Sequence, residues 1–206
     1  MQGSHPINIE ALLSHVPLFN GLDPEEIARF ARGTREVHLS KGEILFHKGD
    51  PCNGFHLLVY GQIKLAFNSS QGNEKVVEIV SQGQSFGEAV MFMEKPYIIY
   101  AQALTDCLLL HISKTVVFDD MQRNHKLCHK MLASMAMRLH QLINDVESYS
   151  LHSGKQRIIG YMLRELPEEE HDGMNVSITL PTNKGVIASR LNLTQEHFSR
   201  ILHELS

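Results

Sequence analysis

The chain has few cysteines and no long apolar run, and both absences narrow what it can be. Its 206 residues include three cysteines, Cys52, Cys107 and Cys128, which are widely spaced and form no CxxC pair. This fits a reducing cytoplasm and argues against a disulfide framework. No apolar run approaches the ~20 residues of a membrane span, and the N-terminus lacks the basic-then-apolar pattern of a signal peptide. We therefore expect a cytoplasmic protein without a membrane partner.

Neither sign of charge is in large excess. The 19 basic and 23 acidic residues leave a net charge of −4, and acidic residues cluster in the stretch 165–172. General attraction of the whole chain to nucleic acid is therefore excluded, so any contact with DNA must come from a local patch. The 43% of hydrophobic residues supply core material for one or two domains.

Signatures of enzymes are missing as well. The sequence contains no nucleophile elbow, no Walker loop and no zinc-binding signature. The content of 13 histidines is the single feature that favours catalysis, and it suits a folded regulator equally. We expect no enzymatic activity. A sensory interaction module that does not bind DNA stays open as a more remote alternative.

Short apolar segments between Val37 and Ile112 indicate strands. They are residues 43–46, 55–60, 63–67, 75–80 and 107–112, punctuated by Gly42, Gly49, Gly61, Gly72, Gly83 and Gly87. Glycine that recurs between segments of strand length indicates a small antiparallel barrel or roll. Helical spacing precedes the roll over residues 7–36, where Asp23 and Pro24 form a helix start.

Proline and glycine are absent from residues 115–150, which predicts one long helix. Its apolar residues alternate steps of four and three, the pattern of a two-stranded coiled-coil seam. The seam begins at Cys128 and continues through Leu132, Met135, Leu139, Leu142, Val146 and Tyr149. Such a stripe is more often ordinary core, but the regular alternation favours a parallel homodimer in which the last six side chains form the interface.

The residues after this helix predict a second domain that ends in a helix-turn-helix. A break at Ser153 and Gly154 is followed by a helix near 158–163, the acidic loop, and a strand with Val176, Ile178 and Leu180. Pro181 and Thr182 then open the helix-turn-helix. The expected divisions are a sensor domain at 1–114, a dimerisation helix at 115–152 and a DNA-binding domain at 153–206.

The second helix of this motif carries side chains that can read bases. In a helix-turn-helix the second helix enters the DNA major groove. Glu196, Ser199 and Arg200 share one helical face, because they are three and four residues apart. Arginine pairs with guanine, glutamate accepts a hydrogen bond from cytosine N4, and serine can either donate or accept a hydrogen bond. The expected DNA-binding set is Thr194, Gln195, Glu196, Ser199 and Arg200.

In their order along the chain, these parts resemble the cyclic-AMP receptor protein / fumarate-nitrate-reduction regulator superfamily of bacterial transcription factors. The resemblance covers nearly the whole chain and rests on β-roll turns at 41–43, 48–50, 61–64, 72–75 and 86–88. It implies an α+β fold: an N-terminal antiparallel β-roll like the cyclic-nucleotide-binding jelly roll, a coiled-coil dimerisation helix and a C-terminal winged helix-turn-helix. It also implies RNA polymerase as a partner and a wing that this sequence, ending at Ser206, does not include.

The DNA site follows from the same resemblance. Glu196, Ser199 and Arg200 match the base-reading motif of the anaerobic-regulator branch, which implies half-sites like TTGAT. A homodimer with two recognition helices requires an inverted repeat whose half-sites lie about one turn apart.

The effector is the least determined feature. Cyclic-nucleotide binders of this superfamily carry Gly-Glu and, about ten residues later, an arginine that holds the cyclic phosphate. Here positions 96–100 read Pro-Tyr-Ile-Ile-Tyr, and no arginine lies between Gly87 and Arg123. We expect no cyclic AMP binding in the usual manner, because a buried phosphate would lack its counter-charge. The expected effector pocket is Gly87, Glu88, Tyr97, Ile98 and Tyr100.

Residues 90–96 and 196–203 resemble the dissimilatory nitrate-respiration regulators, which are regarded as haem-binding nitric-oxide sensors that activate denitrification genes. This resemblance implies haem as a cofactor, and imidazole is its commonest axial ligand. The candidates are His15, His38, His47, His56, His111, His125 and His129, none of which the sequence singles out, so the metal ligand is unknown. An iron–sulfur cluster is not expected, because three cysteines are too few for four thiolates. A cyclic nucleotide, another non-haem ligand or oxidation of Cys128 stays open.

Overall fold

The computed structural model describes residues 8–70, 72, 74–166, 178 and 180–205. The chain divides into two compact units. The first comprises Met1–Leu65 and Ile79–Arg138, and the second comprises Ala66–Glu78 and Leu139–Ser206.

The N-terminal part of the first unit is helical, in short pieces. Helix α1 spans Ile9–Ser14, a 3-10 turn follows at Pro17–Phe19, and α2 spans Pro24–Arg32. The predicted start of α2 is confirmed, because Asp23 and Glu26 form a reciprocal capping box. The helical pattern does not extend to residue 36 as predicted, since the first strand begins at Thr34.

In the part of the chain that the structure describes, eight strands form two four-stranded sheets. They are β1 (Thr34–Leu39), β2 (Ile44–Phe46), β3 (Gly54–Tyr60), β4 (Ile63–Asn68), β5 (Glu74–Val80), β6 (Ser85–Phe86), β7 (Tyr100–Ala103) and β8 (Cys107–Ser113). The strand orders are β1-β8-β3-β6 and β2-β7-β4-β5, and helix α3 (Glu88–Met93) follows β6. All five predicted strand segments are confirmed. The sequence did not predict three strands: β1, whose first residues fell within the predicted helical spacing, and β6 and β7, which are two and four residues long and lack an apolar run.

The predicted turn glycines are confirmed. Gly42, Gly49, Gly61, Gly72, Gly83 and Gly87 all have positive φ values between 81° and 97°. At Gly61 the requirement is also steric, because a Cβ atom there would lie 2.5 Å from the carbonyl oxygen of Asp106. An L-residue at this position would have both an unfavourable positive φ and a steric clash of its Cβ atom.

Each face of the sheet β1-β8-β3-β6 is buried, which explains its nearly continuous apolar strands. One face packs on the N-terminal helices through a core that includes Phe19, Phe30, Phe55, Leu110 and Ile112. The other face closes the interior of the roll through Phe46, Leu58, Phe86, Tyr97 and Leu109. The α+β class and the antiparallel roll that we predicted are confirmed.

The predicted continuous helix over 115–150 is wrong, because two helices occupy the stretch. Helix α4 spans Lys114–Met121 and α5 spans His125–Leu151. Asn124 separates them, since its side-chain oxygen accepts from the backbone N–H of Lys126 at 2.9 Å and caps α5. Helix α4 buries Val117 completely in the core of the first unit. A dimerisation helix can therefore begin only at His125.

The second unit contains the helices α6 (Gly154–Arg164), α7 (Lys184–Arg190) and α8 (Gln195–Leu205). The predicted break before α6 is confirmed, and Ser153 forms a capping box with Gln156. The three helices share a core whose members include Ile158, Ile187, Phe198 and Ile201. Val176 of the predicted strand and most of the acidic loop lie outside the described residues, while Ile178 and Leu180 are not in a strand.

Candidate functional sites

Helix α8 presents a polar face opposite its buried one. Phe198 and Ile201 are buried in the core of the second unit, which orients the helix. Glu196 and Arg200 are exposed, and Ser199 between them is half-buried. The structure thus brings these three predicted side chains onto one accessible surface, a geometry that suits contact with base edges.

The start of α8 is fixed by Thr194. Its hydroxyl oxygen accepts from the backbone N–H of His197 at 3.2 Å, which makes Thr194 the N-cap. Thr194 and Gln195, the other predicted DNA-binding residues, are both exposed. Exposed polar side chains at the first turn of a recognition helix are placed to contact bases or phosphates.

The turn between α7 and α8 is held by an interaction that the sequence did not reveal. Asn192 adopts a left-handed conformation with φ of 58°. The guanidinium of Arg157 on α6 donates to the carbonyl oxygens of Leu191 at 2.7 Å and Asn192 at 3.1 Å. Arg157 therefore links α6 to the turn that connects α7 and α8. No periodic pattern connects residues 34 positions apart, so sequence reasoning had no signal for this contact.

A polar group that we term the α7 cluster holds the last turn of α7 within the second unit. Its members are Lys75, Asp145, Tyr149, Ser189 and Arg190. Arg190 forms an ion pair of 2.6 Å with Asp145, whose side chain is 10% exposed. The Tyr149 hydroxyl donates to the Arg190 carbonyl oxygen at 2.5 Å. The Lys75 ammonium donates to the Ser189 carbonyl oxygen at 2.6 Å and lies 4.7 Å from the centre of the Tyr149 ring.

The α7 cluster satisfies the carbonyl groups that a helix end leaves unpaired. Burial and the neighbouring Arg190 lower the pKa of Lys75 to about 8, while Asp145 acts in the opposite direction. The Ser189 hydroxyl is also bonded to strand β5, since its oxygen accepts from the Val76 backbone N–H at 2.9 Å. The first helix of the helix-turn-helix is thus fixed to β5 and to the C-terminal half of α5.

Three of the five predicted effector-pocket residues lie together in the roll. Gly87, with φ of 97°, precedes the buried Glu88, and a Cβ atom on Gly87 would lie 3.7 Å from the Tyr97 hydroxyl. The Tyr97 ring stacks on Phe46 with centroids 3.6 Å apart. Burial and a hydrogen bond with Cys52 raise the pKa of the Tyr97 hydroxyl. This hydroxyl is therefore neutral at physiological pH.

The other two predicted pocket residues lie elsewhere. Ile98 is 63% exposed, so its predicted place in a pocket wall is wrong. Tyr100 is half-buried on β7, with the Lys64 ammonium 5.7 Å from its ring centre. Ile98 lies in the bend before β7, whereas Tyr100 is the first residue of that strand, so different backbone conformations position the two side chains.

Arg138 on α5 is the residue that sequence reasoning missed in this region. Its guanidinium forms an ion pair of 3.1 Å with Glu88, and it also donates to the carbonyl oxygen of Ser85. A buried carboxylate needs a cationic partner, so Glu88 implied one. Its location 50 positions away was not readable from the sequence. The other carboxylate oxygen of Glu88, Oε1, is buried without a hydrogen-bond partner among the described residues.

A row of polar side chains crosses the sheet β1-β8-β3-β6 on the side that faces the roll interior. The strand register places Arg35 opposite His111, and His111 opposite His56. Nδ1 of His111 lies 3.2 Å from Nε2 of His56. Burial, His111 and Arg35 lower the pKa of His56 to about 3, and burial and Arg35 lower the pKa of His111. Both imidazoles are therefore neutral at physiological pH.

This row predicts that the first unit loses stability in acid. The folded His56 has a pKa of about 3, against 6.5 for a histidine free in water. Between these values the unfolded chain binds more protons, so the free energy of unfolding falls as pH falls below 6.5 and is fully retained above it. At pH 5 we expect a loss of about 2 kcal/mol from His56.

Urea denaturation at pH 7.5 and pH 5 measures this loss. His56→Phe should reduce the difference between the two pH values, because the replacement cannot titrate. His152→Phe, which removes an exposed histidine, serves as the matched control and should leave the difference unchanged. An equal pH difference in the wild type and His56→Phe would contradict the prediction.

Apolar side chains are exposed along α5. Of the predicted seam residues, Leu132, Leu139, Leu142 and Val146 are all exposed, and Met135 is half-buried. Tyr149, the last predicted seam residue, packs instead against Lys75 and Arg190. The apolar face available for a partner thus ends at Val146.

Within the described residues, no three His, Cys, Asp or Glu side chains are grouped to hold a metal ion. No helix among them is long and apolar enough to cross a membrane.

Comparison with known proteins gives matches for both parts of the chain. Residues 36–124 match the cyclic nucleotide-binding domain, and residues 156–206 match the Crp-like helix-turn-helix domain. The cyclic AMP receptor protein of Thermus thermophilus is 24% identical over 190 residues, which cover 92% of this chain and 85% of that protein.

Two solved structures are more similar in sequence. The sensor domain of the transcriptional regulator DNR from Pseudomonas aeruginosa is 32% identical with a TM-score of 0.59, over 66% of this chain and 91% of that one. A second DNR structure is 31% identical with a TM-score of 0.57, over 99% of this chain and 89% of the other. The likeness therefore extends through the roll, the long helix and the helix-turn-helix.

Proposed function

We propose that this chain, which belongs to the Crp/Fnr family of DNA-binding transcription regulators, binds TTGAT-like inverted repeats through Glu196, Ser199 and Arg200. In this family an effector-binding domain accompanies a Crp-like helix-turn-helix. The observation that carries the proposal is the exposed polar face of α8, held in place by the burial of Phe198 and Ile201. With a net charge of −4, the chain depends on such a local surface for DNA contact.

The regulator acts as a homodimer with RNA polymerase as its partner. Two recognition helices related by a twofold axis match the two halves of an inverted repeat. The exposed apolar side chains of α5 support this assembly, because Leu132, Leu139, Leu142 and Val146 follow the heptad spacing of a coiled coil. Activation of transcription then requires that an effector re-orient α8.

The effector pocket lies at Gly87, Glu88 and Tyr97, beside the ion pair between Glu88 and Arg138. Glu88 Oε1 is buried without a partner among the described residues, so an N–H or O–H donor of an effector would satisfy it. Since Arg138 belongs to α5, a ligand that competes for Glu88 would act directly on that helix. The effector can shift the equilibrium only by its difference in affinity between two arrangements.

The signal we propose is nitric oxide, received through haem, because residues 90–96 and 196–203 resemble the nitrate-respiration regulators that are regarded as haem-binding nitric-oxide sensors. Neutral His56 and His111 have the chemistry of an axial ligand. The cleft beside them has a volume of about 260 Å³, below the ~300–1,000 Å³ range of cofactor sites. This cleft therefore does not fit haem, which would take its ligand elsewhere in the chain.

A cyclic nucleotide is the alternative effector, and the domain match at residues 36–124 favours it. Against it stands the absence of an arginine between Gly87 and Arg123. Ile98, near the position where cyclic-nucleotide binders have that arginine, is exposed. Arg138 is engaged with Glu88 and leaves the cyclic phosphate without a counter-charge.

An anaerobic titration with haem separates these effectors. We expect a saturable Soret shift at one haem per subunit, and nitric oxide should then enable binding to a TTGAT palindrome. Titration with cyclic AMP under the same conditions should give no change in DNA affinity. Saturable cyclic AMP binding without a haem shift would reverse the assignment of the effector and leave the DNA-binding proposal intact.

Replacement of Arg200 by alanine tests the recognition surface. We expect the affinity for the TTGAT palindrome to fall by about 1–3 kcal/mol, because the bidentate contact with guanine is lost. Specificity at that guanine should relax, which fluorescence anisotropy with duplexes of all four bases at this position would measure.

Arg123→Ala is the matched control, because Arg123 is exposed and belongs to the first unit. Its affinity for the palindrome should equal that of the wild type at the same salt concentration. A uniform loss over all duplexes in Arg200→Ala would indicate a phosphate contact and contradict base reading.

A further inference from the structure

A cleft of about 260 Å³ opens in the roll beside the row of Arg35, His111 and His56. These three side chains lie on the same face of the sheet, since each is directly opposite the next in the strand register. The stacked rings of Phe46 and Tyr97 form another wall. The cleft thus has a polar side made by β1, β8 and β3 and an apolar side made by two aromatic rings.

His56 is the buried polar group that points to a ligand. It is 5% exposed, and its Nδ1 has no hydrogen-bond partner among the described residues. Its Nε2 is already bonded to His111. Buried imidazole nitrogens are almost always bonded, so an unsatisfied one in the wall of a cleft indicates a missing partner.

The charge in the cleft is favourable for an anion. Arg35 is exposed and contributes a permanent positive charge that acts on both histidines. Asp50 is the carboxylate in the lining, and its Oδ2 accepts from the backbone N–H of His47 at 2.8 Å. Tyr97, another titratable group of the lining, is neutral because burial raises the pKa of its hydroxyl. Among the described residues that line the cleft, the Arg35 guanidinium therefore supplies the permanent positive charge that faces the histidine pair.

We propose that this cleft binds a small organic carboxylate. The guanidinium of Arg35 takes the carboxylate group, for which its planar donors are matched. The histidine pair and the Asn53 amide supply further donors, and the body of the ligand packs on Phe46 and Tyr97. A volume of about 260 Å³ equals about nine water molecules at ~30 Å³ each, which suits a monoanion with a compact body.

The histidine pair makes this binding dependent on pH. One N–H of the neutral pair lies in the hydrogen bond between His111 Nδ1 and His56 Nε2, so only one of the two remaining nitrogens, His56 Nδ1 and His111 Nε2, carries a proton to donate. When the pair gains a proton, both of these nitrogens can donate. A bound carboxylate opposes the field of Arg35 and favours the protonated pair. Binding therefore takes up a proton and becomes tighter as pH falls from 8 to 6. The site is distinct from the Glu88–Arg138 pair, although Tyr97 belongs to both walls.

Titration of the full-length protein with benzoate tests the proposal, with histidine side-chain NMR and calorimetry as readouts and without DNA. We expect saturable binding with a dissociation constant of order 1 mM or tighter, which strengthens at least threefold from pH 8 to pH 6. Arg35→Gln should weaken binding at least tenfold. Arg32→Gln removes an exposed arginine that lines the neighbouring cleft but not this one, and it should bind as the wild type does.

Three results would overturn the proposal. They are the lack of saturable binding, equal weakening by Arg35→Gln and Arg32→Gln, and binding of inorganic phosphate as tight as that of benzoate. Because DNA takes no part in the titration, each of these results leaves the DNA-binding proposal unaffected. Failure of the TTGAT experiment would likewise leave the carboxylate site standing.

Discussion

Asp145→Ala is expected to destabilise the second unit by about 3–5 kcal/mol, because it leaves the charge of Arg190 buried without its partner. The pair is well shielded from water, with side chains 18% and 10% exposed at a distance of 2.6 Å. The loss extends beyond one ion pair, since Asp145 also opposes the repulsion between Arg190 and Lys75. Without it, the pKa of Lys75 should fall below its present value of about 8.

Hydrogen exchange of the α7 amides is the direct measurement, combined with chemical denaturation. The amides of Ile187–Arg190 should lose protection in Asp145→Ala, because the α7 cluster fixes the end of this helix. The double variant Asp145→Leu with Arg190→Met should recover most of the stability, since replacement of a buried pair by apolar residues is often neutral. If the single variant costs less than about 1 kcal/mol, the pair behaves as an exposed one and the prediction is wrong.

The local elements of this protein were readable from the sequence. Segments of strand length between glycines predicted five strands, Asp23 marked the start of α2 as its capping residue, and Ser153 with Gly154 marked the break before α6. The polar face of α8 followed from spacing alone, because Glu196 and Arg200 are four residues apart on a helix. Such predictions succeed where residues close in sequence determine the structure.

The contacts that build the sites were not readable in the same way. Glu88 and Arg138 are 50 positions apart, and Lys75 and Ser189 are 114 apart. Each pair depends on the tertiary arrangement, which no periodic pattern encodes. The exposed Ile98 shows the same limit, because it lies in a bend before β7 whose packing no local sequence pattern determines.

The break between α4 and α5 is an intermediate case. Residues 115–150 lack proline and glycine, so propensity alone favours one helix. Asn124 ends that continuity because its side chain caps α5 and also donates to Glu26 at 2.7 Å. The contact with Glu26 thus reinforces the preference of asparagine for a capping position. The helical pattern of the surrounding residues made this preference hard to detect in the sequence.

Leu139→Lys is expected to abolish the homodimer and, with it, binding to the full palindrome. Leu139 lies at the centre of the exposed seam between Leu132 and Val146, and its side chain is 62% exposed. A lysine there removes apolar burial worth about 1.5–3 kcal/mol per chain, so the dimer loses about 3–6 kcal/mol. It also places two like charges against each other across the seam.

Analytical ultracentrifugation and DNA binding together measure the effect. At concentrations where the wild type is dimeric, Leu139→Lys should sediment as a monomer and should bind a palindrome and a single half-site with equal, weak affinity. Met137→Lys is the matched control, because Met137 is 68% exposed on α5 but lies off the seam. It should remain dimeric and keep its preference for the palindrome. If both variants remain dimeric, the interface lies on another surface, and if both dissociate, the heptad seam is not what specifies it.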